Sequence, residues 1–143
     1  MPGSEPEPRA SARRRRFRNV LAFTMVAIGI VHFVIPAPFV SIVPRSLPAP
    51  FALVIISGFF EVLGGVGLLV PRVRRAAGVG LVLLYFSVFP ANVNMAIHPG
   101  LGAGIPTWAL WARLPFQGVL IAWALWSAEV RKARRLAPTD AER

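Results

Sequence analysis

Phe51–Val70, FALVIISGFFEVLGGVGLLV, is the stretch that decides the fold. Its twenty residues are apolar or small except for one acid, Glu61, near the middle. At about 1.5 Å rise per residue such a helix covers about 30 Å, the thickness of a bilayer's hydrocarbon core. A carboxylate at that depth costs roughly 2.5–3.5 kcal/mol on insertion scales, so Glu61 is expected to face a partner or a cavity rather than lipid.

Working outward, the same pattern recurs. Phe17–Ile35 is an apolar run behind an arginine collar (Arg13–Arg16 and Arg18), read as an uncleaved transmembrane helix. It is longer than the apolar region of a secretory signal, and no small-x-small cleavage site closes it. Ala76–His98 forms a further span with Pro90 inside it, and Thr107–Ala128 a fourth. Starting that last helix at Thr107 gives it the needed length and sets Arg113 about 9 Å down the axis, close enough to snorkel to the headgroups. Helices are therefore expected at about 17–35, 51–70, 76–98 and 107–128: an all-α, four-helix transmembrane bundle. Residues 1–12 and 137–143 read as disordered tails around a single membrane domain, 13–136. Pro36–Pro50 holds five prolines, which forbid a regular helix, and its apolar residues Phe39, Val40, Ile42 and Val43 suit a loop lying in the interface or packed over the bundle end. Pro99–Pro106 reads as a Gly/Pro loop.

Composition fits this reading. The chain has 143 residues, 55% hydrophobic, with a mean hydropathy of +0.60 and a net charge of +10. That charge alone would admit a nucleic-acid binder. Its basic residues instead cluster at the ends of apolar runs, so no nucleic-acid partner is expected and the bilayer is. With four spans, fourteen of the sixteen Lys and Arg fall on the side of the termini, leaving Arg45 and Arg113 on the other. The positive-inside rule then puts both termini in the cytoplasm. Tryptophans agree, with Trp108 and Trp111 at the outer interface and Trp123 and Trp126 at the inner one. There is no cysteine, which excludes disulfide exchange, thiolate catalysis and thiolate-bound metal.

With topology set, the polar membrane residues fall on one side. His32, Ser57, Glu61, Asn92, Asn94, Arg113 and Gln117 all lie from the midplane outward, as does His98, while the inner half is Val, Leu, Ile, Gly and Ala. Ser57 and Gly64 share a helix face with Glu61, and Arg113 and Gln117 stand four residues apart on one face. These seven residues are the candidate ligand-binding site or buried polar cluster. Each also has a plainer reading. Glu61 could close an ion pair with Arg113 or a hydrogen bond to His32 or an asparagine. Asn92 could bridge backbone freed by Pro90, which lacks an N–H for a carbonyl near Phe86. Arg113 could be a simple interface anchor, and Gly58, Gly64, Gly65 and Gly67 serve close helix packing. Two histidines in no ligand spacing give no metal motif, and no nucleophile–base pair or phosphate-binding loop is present, so no catalytic or metal residues are assigned.

Read in order, His32-Phe33 with Pro36, Ile42-Val43-Pro44 with Leu47-Pro48, Ser57-Gly58-x-x-Glu61-x-x-Gly64-Gly65, Leu68-Leu69-x-Pro71-x-x-Arg74-Arg75, Phe89-Pro90-Ala91-Asn92, and Leu110-Trp111-x-Arg113-Leu114-Pro115-x-Gln117 resemble the DoxX-like family of small four-helix membrane proteins. The likeness spans about Val20 to Trp126. Together with the absence of a recognisable catalytic set, it implies a non-enzymatic subunit or assembly factor for another membrane or redox protein; the Arg-rich, Ala/Gly/Pro-rich composition suits a bacterial inner membrane. Two further expectations stand beside it: a binder of a small amphipathic molecule such as a quinone in an outward-opening polar pocket, and a small-solute transporter.

Overall fold

The computed structural model describes residues 8–102 and 104–128. Among these the chain is helical, with no strand. Four long helices, α1 (Pro8–Val34), α3 (Pro50–Leu69), α4 (Arg74–Ile97) and α5 (Thr107–Ser127), are joined by short connections that include the five-residue α2 (Ala37–Ser41) and a 3₁₀ turn at Pro99–Gly102. Three segments, Ala12–Val34, Pro50–Leu69 and Arg74–Ile97, are long and apolar enough to cross a membrane. Helix α5 has the length but not the hydropathy, because Arg113, Pro115 and Gln117 interrupt its apolar run. The exterior agrees: Phe23, Val34, Leu83, Phe86 and Phe116 are all more than half exposed, as lipid-facing side chains are. The chain is an integral membrane protein by this architecture.

Two local expectations shift. Helix α1 starts at Pro8, so it reaches into the segment read as a disordered tail; residues 1–7 and the basic stretch after Ala128, including the tail at 137–143, lie outside the described residues. The proline-rich segment does form one turn of helix. Pro36 is its N-cap and Pro38 falls in the first turn, where the missing N–H has no intrahelical acceptor to leave empty. The other boundaries lie within about two residues of those expected, the usual scatter at helix ends.

Helix α1 packs on α3, α3 on α4 and α4 on α5, with α5 closing back onto α1 through fewer contacts. Neighbours are antiparallel, as the pairs Ala22–Gly65 with His32–Gly58, Gly64–Leu81 with Gly67–Ala77, and Gly78–Ala128 with Asn92–Gln117 show. At the end holding both termini of the bundle, Leu21, Leu68, Leu81 and Ala124 are fully buried in one apolar cluster with Ala22, Met25 and Leu84. Phe17 meets Trp123 and Trp126 edge-on at 6.1 and 6.0 Å, and the Arg14 guanidinium lies 5.3 Å over the Trp126 ring, tying α1 to α5 there. Arg74 Nε donates to Leu68 O at 3.0 Å, satisfying one of the open carbonyls at the end of α3. At the opposite, loop-bearing end a smaller cluster of Ile42, Met95, Ala96 and Leu110 seals the bundle. Between the two clusters the helices do not fill the space.

Candidate functional site

The site begins with a close helix crossing. A Cβ on Gly58 would lie 2.6 Å from His32 Cβ and 3.0 Å from Gly29 O, and one on Gly29 would lie 2.7 Å from Gly58 O. Only bare backbone at both positions lets α1 and α3 approach this far, the small-residue logic of membrane helices. The approach sets His32 beside Glu61, one turn along α3 from Gly58. Both are buried, at 7% and 9% exposure.

His32 Nδ1 lies 2.9 Å from Ile28 O and 3.3 Å from Glu61 Oε2. One N–H cannot serve both acceptors well, and the shorter contact goes to the backbone of its own helix. Glu61 Oε2 is consequently buried without a hydrogen bond. The imidazole is held from its other side by Phe39 of α2, stacked at 3.8 Å between ring centroids with 24° between the planes.

Across the bundle, a second polar group lies beside Pro90 of α4. Pro90 carries no N–H for the Phe86 carbonyl and opens that turn of α4. The carbonyl one residue earlier, Tyr85 O, accepts a hydrogen bond from Gln117 Nε2, and Asn92 Nδ2 donates to Gln117 Oε1 at 2.9 Å. The Tyr85 hydroxyl in turn donates to Met25 Sδ at 3.1 Å, linking α4 to α1. Asn92, Gln117 and a backbone carbonyl thus satisfy one another, leaving Glu61 as the strongest open acceptor.

These groups surround a cavity of about 730 Å³, within the size range of pockets for small molecules. His32, Ser57, Glu61, Asn92, Arg113 and Gln117 line it, so six of the seven sequence-selected residues come together. Asn94 does not: its Nδ2 donates to Ile42 O at 2.9 Å and fastens the proline-rich segment instead. His98 is exposed at the end of α4, with Nδ1 3.0 Å from Asn94 O. Phe39, Ile42, Val43, Leu47 and Pro48 form the roof, Met25, Leu84 and Leu120 the floor. Exposed Ile56 and Phe60 of α3, Ser87 of α4 and Phe116 of α5 form a rim continuous with the lipid-facing surface. Among the described residues Arg113 makes no ion pair with Glu61; the two flank the cavity. No three His, Asp or Glu side chains converge among those residues to hold a metal. Sequence reading missed Tyr85, the chain's single tyrosine, although a lone phenol inside an apolar span was a visible signal.

Fold and site together define a helical integral membrane protein with a largely apolar intramembrane cavity, whose polar groups are one acid–imidazole pair, one amide pair, one arginine, Tyr85 and two serines. The model of a family described as a domain of unknown function, DUF8561, matches residues 21–128, and the chain belongs to that family. No curated protein and no solved structure matches it.

Proposed function

We propose that this protein binds a small amphipathic molecule within the membrane, in the cavity between Glu61 and Arg113. The observation that carries the reading is that these two charged side chains line one 730 Å³ space without meeting. A structural salt bridge would close that space; two unjoined charges around it leave groups for a ligand to engage. The roof of proline-rich segment above and the rim of lipid-facing side chains beside it suit a molecule that arrives from the bilayer. A quinone is one candidate of this kind.

The same proposal includes four spans, with α5 as the fourth, both termini cytoplasmic, and a bacterial inner membrane as the location. Kinship with DoxX-like proteins is part of it and rests on the ordered motifs quoted above, as does a role beside another membrane or redox protein. Transport of a small solute is the reading ranked last, because the sequence shows no inverted repeat.

Native mass spectrometry of the full chain released from its membranes tests the binding reading. A small-molecule adduct is expected on the wild type and is weakened in Ser57→Leu, which pushes an apolar side chain into the cavity one turn from Glu61. A wild type that carries no adduct, and is indifferent to Ser57→Leu, would overturn the proposal. Orientation is tested separately by single cysteines, which the chain's lack of native cysteine makes clean. Ser46→Cys is expected to react with an impermeant thiol reagent from outside the cell, and Arg72→Cys only after lysis.

A further inference from the structure

We infer that the molecule in this cavity is held by a neutral hydrogen-bond donor on its head, a hydroxyl of the phenol or alcohol class, presented to Glu61 Oε2. The inference rests on the binding reading above and specifies the head group. Its first support is an unmet valence: Glu61 is 9% exposed, lines the cavity, and has an Oε2 with no hydrogen-bond partner. Buried carboxylate oxygens are ordinarily paired, and an orphaned one is an open acceptor. The neighbouring imidazole does not close it, because His32 Nδ1 is committed to Ile28 O at 2.9 Å. The nearby amides do not either, because Asn92 and Gln117 bond to each other and to Tyr85 O.

The second support is charge. Glu61 is the acid that lines the space, and Arg113 and the His32 imidazole are its basic groups. A carboxylate or phosphate head placed on Glu61 would stand against a like charge, and an ammonium head would add a second cation beside Arg113. A hydroxyl adds neither and supplies the missing donor. An oxidised quinone, in contrast, brings Glu61 only acceptors. The apolar body then runs past Ile56 and Phe60 toward lipid, where the rim is open.

The experiment measures equilibrium binding of three probes to the full chain in lipid nanodiscs, with empty nanodiscs subtracted: 4-nonylphenol, its methyl ether, and dodecanoate. The wild type is expected to bind the phenol at least ~10-fold more tightly than the ether, the effect of one hydrogen bond to a buried charged acceptor. In Glu61→Leu the two affinities should converge, because the phenol loses its acceptor. The wild-type ratio stands without any variant, so misfolding of Glu61→Leu would not spoil the test. Phenol and ether bound equally by the wild type would overturn the donor assignment and leave the binding reading intact. Dodecanoate bound more tightly than the phenol would do the same, in favour of an anionic head on Arg113. No probe bound above empty nanodiscs would overturn the binding reading, and this inference with it.

Discussion

In the terminal half of the bundle Leu21, Leu68 and Leu81 have no exposed surface, and a Cβ on Gly65 would lie 2.7 Å from Ala22 O. A few turns away, in the loop-bearing half, the same four helices part around some 730 Å³ lined by Glu61, Arg113 and two amides. Polar residues mark the loop-bearing half, but the apolar background of the two halves, mainly Leu, Val and Ala, is alike and does not explain why only one of them parts. What separates them is where the small and the ring-bearing residues fall. Glycine at 64 and 65 draws α3 onto α4 and α1 at one end, while Pro90 and Pro115 open the backbone of α4 and α5 at the other. One end is built to be solid, the other to be hollow.

The contrast is broken most directly by adding bulk at a close approach. Gly65→Leu drives a side chain into the Ala22 backbone and is expected to lose more than about 3 kcal/mol, beyond the usual penalty for overpacking. Thermal unfolding in detergent and the monodisperse fraction would both fall. Gly118, with nothing within 4 Å of a Cβ, provides the control on a lipid-facing surface. Gly118→Leu should change stability by no more than about 0.5 kcal/mol. Equal damage at both positions would sink the close-packing account of the terminal half.

A matched pair then compares the two halves with the same kind of substitution. Ala124 is completely buried in the terminal cluster, so Ala124→Leu should destabilise by about 1–3 kcal/mol. Ser57 lines the cavity and its hydroxyl bonds only to Val54 O of its own helix, at 2.9 Å. Ser57→Leu should leave the unfolding temperature unchanged or raised. A large loss there would mean that the loop half has no room. Next in size, Gln117→Leu strips partners from both Asn92 and the Tyr85 carbonyl and should cost about 1–2 kcal/mol. Asn92→Leu in the same background should cost less than it does alone, because its partner has already gone. Strict additivity in that double-mutant cycle would deny the amide pair.

Much of this was legible in the sequence for physical reasons that act locally. Span length, the apolar run and the arginine collar follow from bilayer thickness and charge, and they located the three strongest spans. The candidate site was legible for a related reason: a polar residue inside an apolar span needs a partner, so His32, Ser57, Glu61, Asn92, Arg113 and Gln117 marked themselves out. Pairing was not legible. Periodicity places Glu61 on a face but says nothing of which neighbouring helix that face meets; the Gly29–Gly58 crossing decided for His32 over Arg113. Gln117 lines the cavity with Arg113, and its bond to the Tyr85 carbonyl is invisible to periodicity because Tyr85 sits in an apolar run. The short helix at Ala37–Ser41 is hidden by its prolines, which break a helix interior but are tolerated in the first turn.

The smallest expected effect concerns the roof of the hollow half. Asn94 Nδ2 donates to Ile42 O at 2.9 Å, a single bond between α4 and the proline-rich segment that carries Phe39 over His32. Beside it, Ile42 is buried with Met95, Ala96 and Leu110, so two forces hold the segment down: one polar bond and one small apolar cluster. Asn94→Ala removes the first and leaves the second, and should lower global stability by only about 1 kcal/mol. Its local effect should be larger than its global one. Amide hydrogen exchange across residues 37–43 is expected to quicken while exchange in the terminal half of α1 and α4 stays as in the wild type, because the roof can open without unpacking Leu21 or Leu81. Exchange quickened equally in both halves would mean that the roof and the solid core unfold as one unit. Exchange unchanged at 37–43 would assign the fastening to the Ile42 cluster alone, and then Ile42→Ala rather than Asn94→Ala should loosen Phe39 from His32.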